Sequence, residues 1–358
     1  MMLYAFSITF CISLIAVMIL HRLAKPLGLL DVPCTRKAHE GHVPLVGGMA
    51  VFIAASIGLL FYFGPSKLLN LYIISCSLMV FIGVLDDKYD LSVRSRLIGQ
   101  FLVSSILIFG LDTYIFSLGN VFYFLNFELG TFGIVLTYLA VIGAINAFNM
   151  VDGIDGLLGG LSIVSFSGVA ILAYNSTSNI MLIYSTILIV SILPYLMANL
   201  SIPPFKNRKV FMGDAGSMFI GLAVVWLVVF GTQHTFVGSP SFRPVTALYL
   251  IALPLMDMVA IMFRRIKKKQ SPFKPDRNHM HHICMRAGFS GKQSLCLLSV
   301  LAAAIMGLGV FLELMLVPEW VSLFIFIILF AFYNYFISHV WRIVKYIRKY
   351  SQGEIKVG

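Results

Sequence analysis

Charged residues are scarce in this chain. Only 11% of its 358 residues are Asp, Glu, Lys or Arg, whereas 59% are hydrophobic. Soluble domains carry about 25% charged residues, so the composition argues against a soluble fold. Short segments of alternating hydrophobicity, the pattern of a transmembrane β-barrel, are also missing. The composition therefore indicates a helical membrane protein.

The usual signs of a disulfide framework, a redox motif or a cleaved leader are lacking as well. The five cysteines are an odd number and form no C-x-x-C pair. No positive charge precedes the first apolar run and no small-residue cleavage site follows it. We therefore interpret residues 3–21 as a membrane span and the cysteines as packing residues.

Apolar stretches recur along the whole chain. About 20 such residues cross the hydrocarbon core as a helix. Eleven stretches of roughly this length are predicted to do so, at 3–21, 44–63, 69–85, 97–115, 131–148, 157–174, 180–199, 214–231, 245–263, 294–316 and 320–341. We expect an all-α fold, a polytopic integral membrane bundle that forms one domain over residues 1–358.

Positive charge is unevenly distributed among the segments between these spans. Basic residues mark cytoplasmic loops, and Arg22 and Lys25 follow the first span, which predicts a periplasmic N-terminus and a cytoplasmic C-terminus. The cytoplasmic side then holds 24 of the 26 Lys and Arg, because only Lys67 and Arg243 lie outside. The predicted cytoplasmic loops that would carry an active site are 22–43, 86–96, 149–156, 200–213 and 264–293.

Most acidic residues fall on the same predicted membrane face. A transporter more often places ionisable groups near the bilayer midplane. Convergence on one surface favours an enzyme that acts at the interface on a water-soluble and a lipid substrate. The basic residues flank spans, so they indicate contact with the lipid bilayer and give no support to nucleic-acid binding.

An aspartate pair directly follows the third predicted span. Asp86 and Asp87 lie in VLDDKYD, and Asp90 is one helical turn further along. Crowded carboxylates are unfavourable unless a cation or a proton lies between them. Mg²⁺ bridging to phosphate suits such hard oxygen ligands, and a solvated helix end is the alternative.

Two further acidic motifs begin predicted spans. Asn149, Asp152 and Asp155 are spaced three apart in NAFNMVDGIDGLLGG, and Asp214 lies between two glycines in MGDAGS. Glycine allows a ligand to approach the backbone closely, and a helix N-terminus offers free N–H groups to phosphate. These motifs predict a metal–phosphate site, although Asp and Asn are also ordinary helix caps.

The 264–293 loop is rich in cations and histidine. Three close histidines could hold zinc, but no clear fourth ligand is near. A donor-rich loop that faces a diphosphate or a sugar fits better. Asp257 lies inside the preceding span, where both structural pairing and substrate contact stay open. The candidate substrate-binding residues are Asn149 from the preceding motif and, here, Asp257, Arg264, Arg265, Arg277, His279, His281 and His282.

Six stretches together resemble the polyprenyl-phosphate N-acetylhexosamine-1-phosphate transferase superfamily, over essentially the whole chain. The resemblance is closest to the bacterial branch that transfers N-acetylglucosamine-1-phosphate from UDP-N-acetylglucosamine to undecaprenyl phosphate. The stretches are VPLVGG (43–48), GVLDDKYDLSVRSR (83–96), AINAFNMVDGIDGLLGGLS (144–162), KVFMGDAGS (209–217), LPLMDMVAIM (253–262) and SPFKPDRNHMHH (271–282).

The resemblance implies an eleven-span enzyme of the bacterial inner membrane that needs Mg²⁺, with Mn²⁺ as the alternative. Its product would enter a cell-surface polysaccharide pathway of the O-antigen or enterobacterial-common-antigen kind. Carried over by motif, the metal site takes Asp214 with Asn149, and the His loop lies near the donor sugar and diphosphate. The residues expected to be catalytic are Asp86, Asp87, Asp152 and Asp155.

Several alternatives stay open at this point. Asp-Asp-x-x-Asp is also how membrane prenyltransferases chelate a prenyl diphosphate through Mg²⁺, but that interpretation leaves Asp214 and the His loop unused. A transporter is supported only by the number of spans. Direct attack is favoured over a phospho-enzyme without being decided, and the sequence does not fix the oligomeric state, with a homodimer among the options.

Overall fold

Helices dominate the architecture. The computed structural model describes residues 1–31, 41–123, 126–206, 208–233, 240–271 and 279–353, with side chains up to residue 339. The helices are α1 Met2–Leu27, α2 Gly47–Phe63, α3 Lys67–Tyr89, α4 Val93–Ser105 with a π-helical continuation Ile106–Gly110, α5 Phe132–Val151, α6 Leu157–Asn175, α7 Asn179–Asn199, α8 Gly213–Gln233, α9 Pro244–Leu250, α10 Ala252–Lys267, α11 Met280–Ala287, α12 Gly291–Leu314 and α13 Glu319–Gly353.

The expectation of a polytopic helical membrane protein is confirmed. Within the described ranges, nine helices are long and apolar enough to cross a membrane, or ten if α9 and α10 form one broken span. The helix α2 is equally apolar but has only 17 residues. Each of the eleven predicted stretches coincides with one of these helices or with the broken pair. The number eleven and the orientation of the termini stay predictions.

The stretch predicted as one span at 245–263 is interrupted. Helix α9 ends at Leu250, α10 starts at Ala252, and the two axes differ by 83°. Pro254 lies in the first turn of α10, where it cannot donate a backbone hydrogen bond to the preceding turn and disfavours a helical residue before it. A continuous apolar run conceals such a break, because hydropathy does not record the missing donor.

Helix α8 is the centre of the bundle. Its apolar window is 100% buried, whereas those of α1 and α13 are 28% and 22% buried and face outward. An apolar helix in a membrane can be covered by lipid or by protein, and α8 is covered by protein, since it packs against α2, α3, α5, α6 and α9. The position of its N-terminus therefore depends on several other helices at once.

Two glycines allow α2 and α3 to approach the first turn of α8 closely. A Cβ atom built on Gly83 would lie 2.3 Å from Ala215 Cα, and one on Gly48 would lie 2.1 Å from Gly216 Cα. Small residues let membrane helices pack backbone against backbone. The carboxyl-terminal turn of α3, which carries the aspartate pair, is thereby placed beside the start of α8.

A short extended segment fixes the approach to α8 from another direction. Strands β1 (Leu30–Asp31) and β2 (Val43–Pro44) pair antiparallel, and the chain after β2 runs beside residues 210–212. Phe211 donates its N–H to the carbonyl of Pro44 (2.8 Å), and Gly47 donates to the carbonyl of Phe211 (2.9 Å). The VPLVGG stretch therefore orders the segment that leads into α8.

The topology prediction can be tested by labelling. In a variant whose natural cysteines (Cys11, Cys34, Cys76, Cys284 and Cys296) are replaced, we expect Asn126→Cys to react with an impermeant maleimide added outside the cell. Ser290→Cys, which is equally exposed in the fold, should react only after the membrane is opened. The opposite labelling pattern would show that the topology is the reverse of the predicted one.

Candidate active site

Asp87 caps the N-terminus of α8. Its Oδ1 accepts a hydrogen bond from the backbone N–H of Asp214 (2.8 Å), and its Oδ2 accepts one from Ala215 (3.2 Å). The first N–H groups of a helix have no partner within the helix, and the partial positive charge there stabilises a carboxylate. One predicted catalytic residue therefore directly holds the backbone of the predicted metal ligand.

Asp86 has different partners although it is the neighbour of Asp87. It is buried, its Oδ1 accepts from the N–H of Leu91 (2.9 Å), and its Oδ2 accepts from the Arg96 guanidinium (2.9 Å). It also lies near enough to Asp214 to interact electrostatically. Arg96, in the first turn of α4, is not among the predicted site residues. It reaches Asp86 because the chain turns between α3 and α4, and no helical spacing predicts that contact.

Asn149 and Asp214 are in contact, as their predicted shared role requires. The Asn149 amide, in the last turn of α5, donates to Asp214 Oδ1 (2.6 Å) and to Ser217 Oγ (2.9 Å). These residues are 65 positions apart in the sequence, and the packing of α5 on α8 brings them together. Asn149 therefore fixes the orientation of the Asp214 carboxyl group.

Asp152 and Asp155 lie in the segment between α5 and α6. Burial, followed by the neighbouring charges of Asp214 and Asp155, raises the pKa of Asp152 to about 7. By surface area the side chain is nevertheless exposed, and solvent screening lessens this shift. Asp155 forms an ion pair with Lys209 (2.6 Å), whose ammonium group lies 5.2 Å from the centre of the Phe211 ring.

Asn199 joins the two acid–glycine segments. It is buried at the end of α7, where its Oδ1 accepts from the N–H of Gly156 and its Nδ2 donates to the carbonyl of Val210 (2.8 Å). The side chain therefore ties the start of α6 to the segment before α8. A single Asn at the end of an apolar run is typical of a helix terminus, so no sequence pattern predicts this contact.

The His helix, α11, contacts the segment between α5 and α6. A Cβ atom on Gly153 would lie 2.1 Å from His281 Nε2, so the imidazole lies directly against that backbone. Burial, with smaller contributions from His282 and His279, lowers the pKa of His281 to about 3. His281 is therefore a neutral imidazole at physiological pH in the unliganded protein.

All but one of the other predicted donor-binding residues lie on α10, on α11 or at the N-cap of α11. The ring of His282 lies 4.2 Å from that of His281, centre to centre. Asp257 is buried and bonded to His279 Nδ1 (2.8 Å), which favours structural pairing of the two interpretations left open. Arg264 and Arg265 lie in the last turn of α10. Arg277 lies outside the described residues.

Comparison with known proteins shows what this chain is similar to. Residues 69–232 match the model of glycosyl transferase family 4. The chain is 44% identical over 343 residues to the undecaprenyl-phosphate alpha-N-acetylglucosaminyl 1-phosphate transferase of Salmonella typhi, which covers 95% of this chain and 92% of the relative. The protein of the same name from Haemophilus influenzae is 43% identical over 342 residues, or 96% of each chain. The chain belongs to this transferase family.

The carboxylates of this family member suit a divalent cation. Asp86, Asp87 and Asp152 all lie close enough to Asp214 for electrostatic interaction, and a cation would relieve their mutual repulsion. In the described part of the chain, no three His, Cys, Asp or Glu side chains form a ready metal cage. Mg²⁺ is typically held by one or two carboxylates together with substrate phosphates and water, which this arrangement permits; a three-histidine zinc site gains no support.

The role of Asp214 can be tested without turnover. Asp214→Asn keeps the shape of the side chain but removes its charge, and should raise the dissociation constant for Mn²⁺ by about tenfold or more, as is common when a metal site is disturbed. Electron paramagnetic resonance of free Mn²⁺ titrated into the purified protein measures this constant. Asp90→Asn is the matched control, since Asp90 is exposed. Equal Mn²⁺ affinity in both variants would exclude Asp214 as a ligand.

Proposed function

We propose that this protein transfers N-acetylglucosamine-1-phosphate from UDP-N-acetylglucosamine to undecaprenyl phosphate, which yields undecaprenyl-diphosphate-N-acetylglucosamine and UMP. The observation that carries the proposal is the 44% identity, over 95% of the chain, to a transferase named for this acceptor and sugar. The gathering of the motif residues around the start of α8 supports it independently, because those residues come from four separate parts of the sequence.

The reaction asks one phosphate oxyanion to attack another phosphorus, and charge repulsion is its main obstacle. A bound Mg²⁺ or Mn²⁺ would neutralise charge on the donor diphosphate. In our proposal Asp214 holds this ion, and Asn149 orients the Asp214 carboxyl group through the contact described above. Asp87 fixes the backbone of Asp214, so its contribution to catalysis is made partly through position.

The acceptor would reach the site from the bilayer. Asp86 lies at the end of a membrane-spanning helix, next to Arg96 of α4. A lipid phosphate that enters laterally between α3 and α4 would meet the Asp86 carboxylate and the Arg96 guanidinium group. The guanidinium group can donate hydrogen bonds to the phosphate oxygens and orient them. Direct attack by that phosphate on the donor needs no covalent intermediate, so we favour it over a phospho-enzyme.

The donor would bind where α11 meets the segment between α5 and α6. Asp152 and Asp155 lie on that segment, and His281 packs on Gly153 within it. A neutral imidazole can accept or donate a hydrogen bond to sugar or nucleotide. Arg264 and Arg265 at the end of α10, together with Arg277 of the same basic stretch of sequence, are proposed to supply the positive charge that the diphosphate needs.

We further propose that the protein lies in the bacterial inner membrane, with eleven spans and the site on the cytoplasmic face. The 24-to-2 distribution of Lys and Arg supports this orientation, and the relatives are bacterial proteins. A nucleotide sugar made in the cytoplasm would then reach the site directly, without crossing the membrane.

One assay separates the proposed transferase from the prenyltransferase and the transporter. Purified protein is incubated with UDP-N-acetylglucosamine labelled in the sugar, undecaprenyl phosphate and Mg²⁺. We expect label to enter the lipid extract with stoichiometric release of UMP, because sugar and one phosphate move together. Release of pyrophosphate, or no transfer of label to lipid by an intact protein, would contradict the proposal.

A further inference from the structure

Asp257 is a buried carboxylate within a mostly apolar helix. An aspartate in such a place is costly unless protein groups satisfy it. Three hydrogen bonds do so: the Tyr333 hydroxyl donates to Oδ1 (2.8 Å), the backbone N–H of Met280 donates to Oδ1 (3.2 Å), and His279 Nδ1 contacts Oδ2 (2.8 Å). Both oxygens are therefore engaged by the protein itself.

These bonds connect three helices. Asp257 belongs to α10, Tyr333 to α13, and Met280 is the first residue of α11. His279 is the N-cap of α11 but makes no side-chain capping bond within its own helix. Asp257 satisfies one of the free N–H groups at that terminus. The start of α11 is therefore held by a carboxylate from another helix, which is itself held by Tyr333.

The orientation of α11 decides where His281 lies. The rings of His279 and His281 are nearly parallel, with centres 5.7 Å apart and planes 6° apart. Buried His281 Nε2 has no hydrogen-bond partner among the residues that the structure describes and packs against Gly153. The position of this imidazole therefore bears directly on the backbone of the segment between α5 and α6.

We propose that Tyr333 is a positioning residue for donor binding. Its hydroxyl fixes the Asp257 carboxyl group, Asp257 fixes His279 and the first turn of α11, and that turn places His281 against the 152–156 segment. The inference rests on the proposed function, since it takes the donor to be the ligand of this segment. It adds a role for α13, which contributes none of the acidic or histidine motifs.

The conservative variant Tyr333→Phe removes one hydroxyl and keeps the ring. We expect the KM for UDP-N-acetylglucosamine and its equilibrium dissociation constant to rise by about tenfold, on the scale of one hydrogen bond to a charged group. The KM for undecaprenyl phosphate should change by less than about twofold, because none of the residues proposed to bind this substrate lies on α11. Tyr335→Phe is the matched control, since Tyr335 lies on the same helix but is exposed.

A double variant tests whether Tyr333 acts through Asp257. If it does, adding Tyr333→Phe to Asp257→Asn should weaken donor binding little further, because coupled residues are not additive. A general loss of packing would instead raise the KM values of both substrates, lower the unfolding temperature, and multiply the two single effects. Those results, or unchanged donor binding in Tyr333→Phe, would overturn the inference.

Donor binding by the unmodified protein keeps the two claims distinct. If that protein binds UDP-N-acetylglucosamine and Tyr333→Phe binds it equally well, the inference alone fails. If the folded, unmodified protein binds no UDP-N-acetylglucosamine in the presence of Mg²⁺, the proposed function fails and the inference fails with it.

Discussion

The contact between the Asp87 carboxylate and the first turn of α8 is the constraint on which the rest of the site depends. It requires α3 and α8 to be almost in backbone contact, and Gly83 allows this, since a methyl group there would overlap Ala215. Once α8 is held, Asp214 projects toward Asn149 on α5, and Asn199 aligns the neighbouring segment. Asp87, Asn149 and Asp214 are thereby positioned by helix packing and not by a loop, and preorganisation of this kind is where transferases obtain much of their rate.

The distribution of cations within the site complements this geometry. Arg96 pairs with Asp86 and Lys209 with Asp155, whereas the pKa of Asp152 is raised by desolvation and then by the charges of Asp214 and Asp155. The negative charge is therefore concentrated around Asp214 and balanced toward the edges. An arrangement of this kind attracts a divalent cation, and the cation in turn makes the same place acceptable to a diphosphate. The contact of His281 with Gly153 fits a role in recognition of the donor.

The membrane architecture and most of the acidic site residues could be predicted from the sequence because both leave local signals. A run of about 20 apolar residues indicates a span wherever it occurs, and acids beside glycines at span ends indicate a ligand site. Contacts between distant segments leave no such signal. Neither Asn199 nor Tyr333 differs from an ordinary helix residue in sequence, and the pairing of Gly83 with Ala215 depends on which helices are neighbours. The bend between α9 and α10 was missed for a different reason: the apolar run is continuous across it, so hydropathy does not reveal the break.

The most direct test of this account is the transfer rate of Gly83→Ala beside that of Gly307→Ala. Both changes add one methyl group to a glycine within a membrane-spanning helix, but a Cβ atom on Gly307 would meet nothing within 4 Å, whereas one on Gly83 would lie 2.3 Å from Ala215 Cα. Because a displacement of about 1 Å in a catalytic group can cost roughly 10²-fold, Gly83→Ala should lose transfer by that order and Gly307→Ala should keep nearly all of it. Full activity in Gly83→Ala would contradict the claim that the close contact of α3 with α8 positions the catalytic groups.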